Sequence, residues 1–242
     1  MTDREIAGAT KELEGGDGEF FDEIAGRYDL LNRILSLGLD GRWRRRTVEA
    51  LGLDGGEQIL DVATGTADLA IEIANRSPGV RVIGVDPSRE MLAVGGRKVA
   101  DAGLDDRIEL ERGDGQQLRF DDDRFHGCCI AFGIRNFPNR LQGLREMARV
   151  VRPGGTVAVL ELSEPRKGVM AAMSRLYVRG VVPRLGALLS GSEQYRYLQE
   201  SIAAFPPASQ FEAMMAEAGF DDVVTHPLTF GVVNLFVGRV TT

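Results

Sequence analysis

The stretch 59–69, which reads Ile-Leu-Asp-Val-Ala-Thr-Gly-Thr-Ala-Asp-Leu, most constrains the fold of this chain. A short apolar run ends at Asp61, a turn of small residues follows, and an apolar-periodic segment continues to Ala74. This pattern predicts a strand, a tight turn and a helix. The free backbone N–H groups of such a turn converge on one place, which suits a ligand that carries carboxylate or hydroxyl groups.

A second apolar run, residues 80–85, ends at Asp86, roughly 20 residues beyond the turn. In doubly wound folds, an acid at this place and spacing accepts hydrogen bonds from ribose hydroxyls. The two features together predict a nucleoside-bearing cofactor that lies across the carboxyl ends of parallel strands.

The composition of the turn narrows the choice of nucleoside. A dinucleotide fingerprint needs three glycines, whereas this turn has only Gly65, between Ala63 and Ala67. The loop resembles the Asp-x-Gly-x-Gly-x-Gly loop of class I methyltransferases, with two glycines replaced by alanine. The resemblance implies S-adenosylmethionine (SAM) as the cofactor. An ordinary strand–helix turn without a ligand is the alternative for the loop alone.

The length, composition and net charge of the chain limit its fold class and the kinds of partner it can have. A chain of 242 residues with 43% hydrophobic residues predicts one large α/β domain. The net charge of -7 disfavours a general nucleic-acid binder. The adjacent Cys128 and Cys129 lack metal-ligand spacing and cannot form a disulfide framework, so we expect a reducing cytosol and no metal site. No apolar run is long enough to predict a membrane span.

The periodicity predicts a Rossmann-like α/β fold, with a doubly wound, mostly parallel, seven-stranded sheet and helices on both faces. Strands are expected near 58–62, 81–85, 107–111, 126–132, 156–162, 220–225 and 229–240, and core helices near 66–75, 88–102, 141–151 and 209–218. A turn is expected at 152–155, and Ser88 is expected to cap its helix.

We predict one methyltransferase domain over 19–242, preceded by a disordered segment, 1–18. Its parts are a helical N-terminal lid (19–56), a SAM-binding core (57–163), a helical substrate cap inserted after the fifth strand (164–206), and a closing helix and strands (207–242). One side of the second lid helix carries Arg42, Arg44, Arg45 and Arg46. That side is expected to be solvated, with contact to anionic lipid headgroups as the alternative.

Three motifs extend the resemblance over nearly the whole chain. Residues 28–43 read Tyr-Asp-Leu-Leu-Asn-Arg-Ile-Leu-Ser-Leu-Gly-Leu-Asp-Gly-Arg-Trp, residues 132–136 read Phe-Gly-Ile-Arg-Asn, and residues 149–163 contain Arg-Pro-Gly-Gly before a strand. These stretches resemble the signatures of the UbiE/COQ5/MenG family of quinone-biosynthesis C-methyltransferases. Two positions depart from the family pattern, since Leu31 stands where the family has methionine and Asp40 where it has histidine.

The resemblance implies SAM-dependent methylation of a ring carbon of a polyprenylated hydroquinone. Conversion of demethylmenaquinol to menaquinol is favoured, with methylation of a polyprenyl methoxybenzoquinol on the ubiquinone route as the alternative. The Asp40 departure keeps a third reading open, a catalytically silent SAM-binding assembly subunit, and a SAM enzyme with a small soluble acceptor is a fourth. Because the implied substrate resides in the membrane, we expect a cytoplasmic protein with peripheral contact at the inner face of the cytoplasmic membrane; a homodimer is left open.

Three residues are the candidates for catalysis. Arg135, after the fourth strand, is predicted to stabilise a developing phenolate, with a structural ion pair to Glu161 or Asp61 as the alternative. Asn136 is predicted to orient the substrate oxygen. Tyr28 is predicted to contact the ring or to close over the methyl site, with a core aromatic of the lid as the alternative.

The candidate cofactor contacts lie in the turns that follow the first three strands. Asp61 is predicted to bind the methionine amino group, or else to cap its turn, and Asp86 to bind the ribose. The resemblance implies that Asp114 and the backbone of Gly115 read the adenine. Gly65 supplies room for the ligand, and Thr66 is expected to donate to the cofactor or to act as a helix N-cap.

The helical region after the fifth strand carries apolar residues and tyrosines. Residues 168–189, Tyr195 and Tyr197 are expected to form a hydrophobic entrance for a prenyl tail. Ordinary packing of the cap or a subunit interface is the alternative.

Overall fold

The computed structural model describes residues 19–163 and 192–241. The predicted disordered segment 1–18 and the cap residues 164–191 lie outside the described residues. The predictions for residues 168–189 and for the side chain of Tyr195 fall on residues outside this description.

A seven-stranded sheet forms the centre of the described part of the chain, in the order β3-β2-β1-β4-β5-β7-β6. The first five strands are mutually parallel, and β7 runs antiparallel to both of its neighbours. The predicted doubly wound, mostly parallel sheet is confirmed. The strands are β1 (Gln58–Val62), β2 (Arg81–Asp86), β3 (Ile108–Arg112), β4 (Phe125–Ala131), β5 (Val151–Leu162), β6 (Phe220–Leu228) and β7 (Val233–Val240).

Helices cover both faces of this sheet. Side chains alternate along β1, so that Leu60 and Val62 pack into one apolar cluster and Ile59 into the other. The helices are α1 (Glu19–Leu35), α2 (Asp40–Leu51), α3 (Asp68–Arg76), α4 (Arg89–Asp101), α5 (Arg140–Val150), α6 (Ser192–Ala203) and α7 (Ala208–Glu217), with short 3₁₀ turns at Ile134–Asn136 and Thr229–Gly231.

Local sequence explains how these elements begin. β4 is apolar and small because both of its faces are covered, and Cys128, Cys129 and Ile130 are fully buried. Ser88 caps α4 as predicted, since its Oγ accepts the N–H of Met91 at 3.1 Å.

Three strand boundaries differ from the prediction by more than one residue. β6 ends at Leu228 instead of 225. β7 begins at Val233 instead of 229, because Thr229 and Phe230 have φ angles of 44° and 61°, which an extended strand excludes. β5 begins at Val151, and the predicted turn at 152–155 is an excursion inside the strand. The pairing of β5 with β4 jumps there from Val151 to Thr156.

The prediction that Arg44 lies on a solvated face of α2 is wrong. Arg44 is buried, with a nitrogen 2.5 Å from Asp40 Oδ2 and another 3.1 Å from Asp68 Oδ2. The two carboxylates compensate the desolvation of the guanidinium. Arg42, Arg45 and Arg46 are exposed, as predicted.

Within residues 19–163 and 192–241, every helix is too short or too polar to cross a bilayer.

Candidate cofactor cleft

The cleft lies at the carboxyl ends of the parallel strands, where the strand order reverses between β1 and β4. Doubly wound sheets bind ligands at this switch point, because adjacent crossovers leave in opposite directions and open a crevice. The main part of the cleft holds about 670 Å³ of space free of atoms, partly open to solvent.

The cleft has two parts that share a wall made by the lid, the β1 turn and the end of β4. Eight of the nine predicted site residues line one part or the other, and Arg135 does not. The shared wall consists of Tyr28, Ala63, Gly65, Ala131 and Phe132; the first part adds Asp86, Asp114, Gly115 and Asn136, and the second adds Asp61, Thr66, Arg44 and Asp68.

The turn after β1 is built from residues in the left-handed region. Ala63, Gly65 and Ala67 have φ angles of 52°, 56° and 64°. A side chain in this region costs roughly 1 kcal/mol, and only the smallest are tolerated well. No atom would meet a Cβ added at Gly65 within 4 Å, so the turn faces open space.

Asp86 joins this turn to β2. Its two carboxylate oxygens accept the N–H groups of Gly65 and Ser88, each at 2.9 Å. Burial raises the pKa of Asp86 to about 6, although these two hydrogen bonds oppose the shift. The N–H of Gly65 is therefore taken up by Asp86, and Gly65 offers the ligand room instead of a free donor.

Asp61 lies at the bottom of the second part and is almost fully buried. Its carboxylate accepts the hydroxyl of Thr64 at 2.7 Å and lies 3.6 Å from the thiol of Cys129. Burial raises the pKa of Asp61 to about 7. Asp61 thus accepts a hydrogen bond within its own turn, as its capping alternative predicts. Asp61 also lines the second part of the cleft, so it can still contact a ligand there.

Asp114 and Gly115 form the far end of the first part. Asp114 is exposed, and its Oδ1 accepts the N–H of Gln116 at 2.8 Å. Gly115 is closely packed, since a Cβ there would lie 2.5 Å from the ring of Phe137. The backbone at Gly115 is therefore fixed against an aromatic side chain.

The carboxylates that line this cleft decide which cofactor can bind there. Asp61, Asp86 and Asp114 form no salt bridge within the described ranges, so the cleft presents three carboxylates. SAM brings a sulfonium, an ammonium and ribose hydroxyls, which such oxygens can bind. A pyrophosphate, in contrast, would be repelled. The residues present therefore fit SAM.

Of the two roles expected for Thr66, the helix N-cap is wrong. The N-cap of α3 is Ala67, which makes no side-chain cap bond. The Thr66 hydroxyl donates instead to Asp29 Oδ1 at 2.6 Å and accepts from Lys98 Nζ at 3.2 Å. Thr66 lines the second part of the cleft, so its proposed contact with the cofactor stays a prediction.

Arg135 forms the structural ion pair with Glu161 that was the alternative to its catalytic role. It is buried, and its Nη1 lies 2.8 Å from Oε1 of the fully buried Glu161. Burial opposes the charge, but the attraction of Glu161 outweighs it and raises the pKa of Arg135. The guanidinium also donates to the carbonyl of Phe132, and its Nε has no hydrogen-bond partner among the described residues.

Asn136, the next residue, lines the first part of the cleft. Its Oδ1 accepts the hydroxyl of Tyr197, on α6, at 3.0 Å. Burial raises the pKa of Tyr197 above its usual range, so the phenol stays protonated at neutral pH. Tyr197 thereby fixes the amide of Asn136, which lines the first part of the cleft.

Asp40, the departure from the family pattern, lies away from the cleft lining. Its carboxylate accepts from Ser36 Oγ at 2.9 Å and from Arg44. Burial alone would raise the pKa of Asp40, but the contacts with Arg44 lower it. Asp40 thus holds Arg44, which lines the second part of the cleft.

Several residues around the cleft were not singled out from the sequence. Asp22, Asp29 and Lys98 tie the lid to the core, and Glu161 was named only as a partner for Arg135. The Tyr-Asp motif contained a signal for Asp29. Lys98 carried no local signal, because it lies inside an ordinary amphipathic helix.

The chain matches the model of the ubiE/COQ5 methyltransferase family over residues 10–239. It is 48% identical over 219 residues to a demethylmenaquinone methyltransferase of Thermus thermophilus, covering 90% of this chain and 98% of that one. It is 44% identical over 219 residues to a ubiquinone/menaquinone biosynthesis C-methyltransferase of Geobacter sp., covering 90% and 93%.

Solved structures support the fold. A SAM-dependent methyltransferase from Aquifex aeolicus superposes with a TM-score of 0.61 at 16% identity, covering 82% of this chain and 89% of that one. A phosphoethanolamine N-methyltransferase of Haemonchus contortus in complex with SAM superposes with a TM-score of 0.64 at 16% identity, covering 82% and 52%. The class I methyltransferase fold that the loop resemblance implied is confirmed.

Proposed function

This chain belongs to the ubiE/COQ5 methyltransferase family, and from that premise we propose that it transfers a methyl group from SAM to a ring carbon of a polyprenylated hydroquinone. Demethylmenaquinol is the preferred acceptor. The similarity to relatives with quinone-biosynthesis names, over about nine-tenths of the chain, is the observation that carries the proposal.

The polar groups of the cleft divide into two sets along its length. Asp86, Asp114 and Gly115 are proposed to hold the adenosine moiety, and Asp61 the methionine ammonium. The wall shared by the two sets, which includes Tyr28, is the proposed site of methyl transfer. When bound, SAM supplies an electrophilic methyl group for in-line displacement, and the protein contributes mainly alignment.

The acceptor carbon becomes nucleophilic when a hydroquinone hydroxyl loses its proton. Asn136 is proposed to orient that oxygen, because it lines the cleft and its amide is held by the hydroxyl of Tyr197. Arg135 is proposed to act through its field. The neighbouring Arg140 donates to the backbone carbonyl of Arg135 at 2.9 Å, so a second guanidinium lies close to this segment and adds positive charge that favours a phenolate.

The hypothesis of a catalytically silent subunit was based on Asp40, which replaces the family histidine, and the position of Asp40 weakens it. Asp40 is an ion-pair partner of Arg44 and does not line the cleft, so the missing histidine removes no group from the cleft wall. The tyrosine, asparagine and carboxylates proposed to act are all in the cleft. An active enzyme is therefore the reading that the geometry favours.

Methylation of short-chain acceptors tests this function directly. Purified protein, labelled SAM and a reduced demethylmenaquinol or methoxybenzoquinol are combined, with the oxidised quinones as controls. Label in the demethylmenaquinol product is the expected result, and turnover of the benzoquinol instead establishes the ubiquinone-type ring. If calorimetry detects SAM binding but neither quinol is methylated, the proposed reaction is wrong.

A polyprenyl acceptor requires contact with a bilayer, and we propose that the enzyme lies in the cytoplasm and makes this contact with its lid side. Trp43 Nε1 donates to Thr229 Oγ1 at 2.8 Å, which ties the turn carrying Phe230 to the start of α2. Phe230 and Leu37 are large exposed apolar side chains, and Arg42 is exposed nearby in sequence to Leu37. Vesicle flotation tests this proposal; no association with neutral or anionic vesicles would contradict it.

A further inference from the structure

The lid helix α1 meets helix α4 through two carboxylates that project from one side of α1. Asp22 accepts the hydroxyl of Ser88 and, at 3.2 Å, the N–H of Glu90, at the start of α4. Asp29 accepts the Nζ of Lys98, nearer the end of α4, at 2.7 Å. The two helices therefore run side by side in the same direction, with one polar contact near the start of α4 and another near its end.

Lys98 connects three segments of the chain. Its Nζ donates to Asp29 on the lid, to Asp68 at the start of α3, and to Thr66 in the turn after β1, called the cofactor turn below (residues 63–67). Asp68 has a second cation, Arg44. Among the described residues, Asp29 forms an ion pair only with Lys98. Without Lys98, the two carboxylates would face each other across a half-buried gap and repel.

Tyr28 is adjacent in sequence to Asp29 and lines both parts of the cleft. It therefore lies where the lid closes over the junction between the proposed adenosine and methionine ends. A shift of α1 away from α4 would carry Tyr28 out of the shared wall. The contact between Asp29 and Lys98 therefore restrains the part of α1 that carries Tyr28.

We infer that Lys98 is a positioning residue for methyl transfer, which holds the lid helix against the cofactor turn so that Tyr28 stays over the cleft. The inference rests on the proposed function for its consequence in catalysis. Its physical content, that Lys98 couples lid position to SAM affinity, can be measured without any methyl acceptor.

Lys98→Met tests the inference, because methionine keeps most of the length of the side chain and removes its charge. Calorimetry measures the Kd for SAM, and hydrogen exchange measures the amides of α1 in the ligand-free protein. We expect SAM binding to weaken about tenfold and exchange in α1 to accelerate. Arg97→Met, one position earlier and exposed, is the matched control and should leave both within about twofold.

Two further variants separate positioning from a loss of folding. Lys98→Arg should recover most of the affinity, because the guanidinium can also bridge Asp29 and Asp68. Asp29→Asn should weaken SAM binding in the same direction while Lys98 keeps its contact with Asp68. Thermal unfolding of each variant identifies any that fail to fold, in which case Asp29→Asn decides.

A double-mutant cycle with Tyr28→Ala tests whether Lys98 acts through Tyr28. If it does, Lys98→Met should weaken SAM binding in the wild-type background and add little in the Tyr28→Ala background. An equal loss in both backgrounds would overturn the inference, as would unchanged affinity and exchange in Lys98→Met. Absence of quinol methylation would instead contradict the proposed function. It would not affect the double-mutant cycle, because the cycle measures SAM binding alone.

Discussion

Glu161 holds Arg135 twice, because its carboxylate accepts the backbone N–H at 3.1 Å and the side-chain Nη1 at 2.8 Å. Both side chains are buried. The charge of Arg135 is thus compensated from the β5 side, while the following residue, Asn136, reaches the cleft. The pair fixes the segment after β4 independently of any ligand.

Glu161→Gln should destabilise the protein by roughly 3 kcal/mol, because it leaves the buried guanidinium without a counter-charge. Denaturant unfolding measures the change. The double variant Arg135→Met with Glu161→Gln should be more stable than Glu161→Gln alone, since it removes the uncompensated charge. A wild-type unfolding midpoint for Glu161→Gln would show that the pair is not a structural element.

Tyr197→Phe should lower kcat for quinol methylation about two- to tenfold, since a hydrogen bond of this kind contributes roughly 0.5–1.5 kcal/mol. The loss arises because the amide of Asn136 is no longer held in one orientation. Steady-state kinetics with a short-chain quinol measures it. The Kd for SAM is the internal control and should stay unchanged, because Tyr197 lines neither part of the cleft; a weakened Kd with normal kcat would contradict this role.

SAM affinity should increase as pH rises from about 5 to 7.5. The pKa values of Asp86 and Asp61 in the ligand-free protein are raised to about 6 and about 7, and a cationic ligand binds their ionised forms. Calorimetry in buffers of different ionisation enthalpy should detect proton release on binding. Asp86→Asn should weaken binding at pH 7.5 and flatten the pH dependence, and a wild-type affinity independent of pH would contradict the assignment.

The same two groups set the sign of a stability change with pH. Because their folded pKa values lie above the unfolded value near 4, the folded ligand-free protein binds more protons between about pH 4 and 7. Their contribution to the free energy of unfolding should therefore decrease as pH rises through that window. Denaturant unfolding at pH 5 and pH 7.5, in wild type and in Asp61→Asn, measures this contribution, which the variant should reduce.

Gly133→Ala should destabilise the cleft wall, because a Cβ at Gly133 would lie 2.6 Å from the Cβ of Ala63. Ala63 itself has a φ of 52°, so Ala63→Gly should cost little or increase stability by about 0.5 kcal/mol. Ala63→Gly should also restore part of the stability lost in Gly133→Ala, because it removes the clashing methyl. Thermal unfolding of the two single variants and the double variant measures this coupling, and strictly additive changes would contradict the contact.

Local sequence was sufficient for the strands and for the acids at their ends. The apolar run before Asp61 and the run before Asp86 place both carboxylates at one edge of the sheet, because the carboxyl ends of parallel strands lie side by side. The Ser88 cap is likewise a local property. These predictions need no knowledge of distant partners.

Partners from distant parts of the chain decided the remaining assignments. Lys98 and Asp29 are 69 residues apart, and Thr66 lies 37 residues from Asp29, so no local pattern reveals that the Thr66 hydroxyl is engaged by the lid. The burial of Arg44 similarly depends on Asp68, which another helix supplies. Residue type indicated a polar role for Thr66 and a basic side for α2, whereas the directions of these side chains and any role for Lys98 required the assembled fold.

The position of β7 between β5 and β6 has a consequence for synthesis on the ribosome. Because β7 comprises residues Val233–Val240, the edge of β5 stays uncovered until the last tenth of the described chain has been made. The parallel half of the sheet can assemble earlier, but an open β5 edge is a template for pairing with other chains. Slow translation or a premature stop shortly before β7 should therefore favour aggregation of the nascent enzyme, even though the cofactor cleft itself lies in the earlier strands.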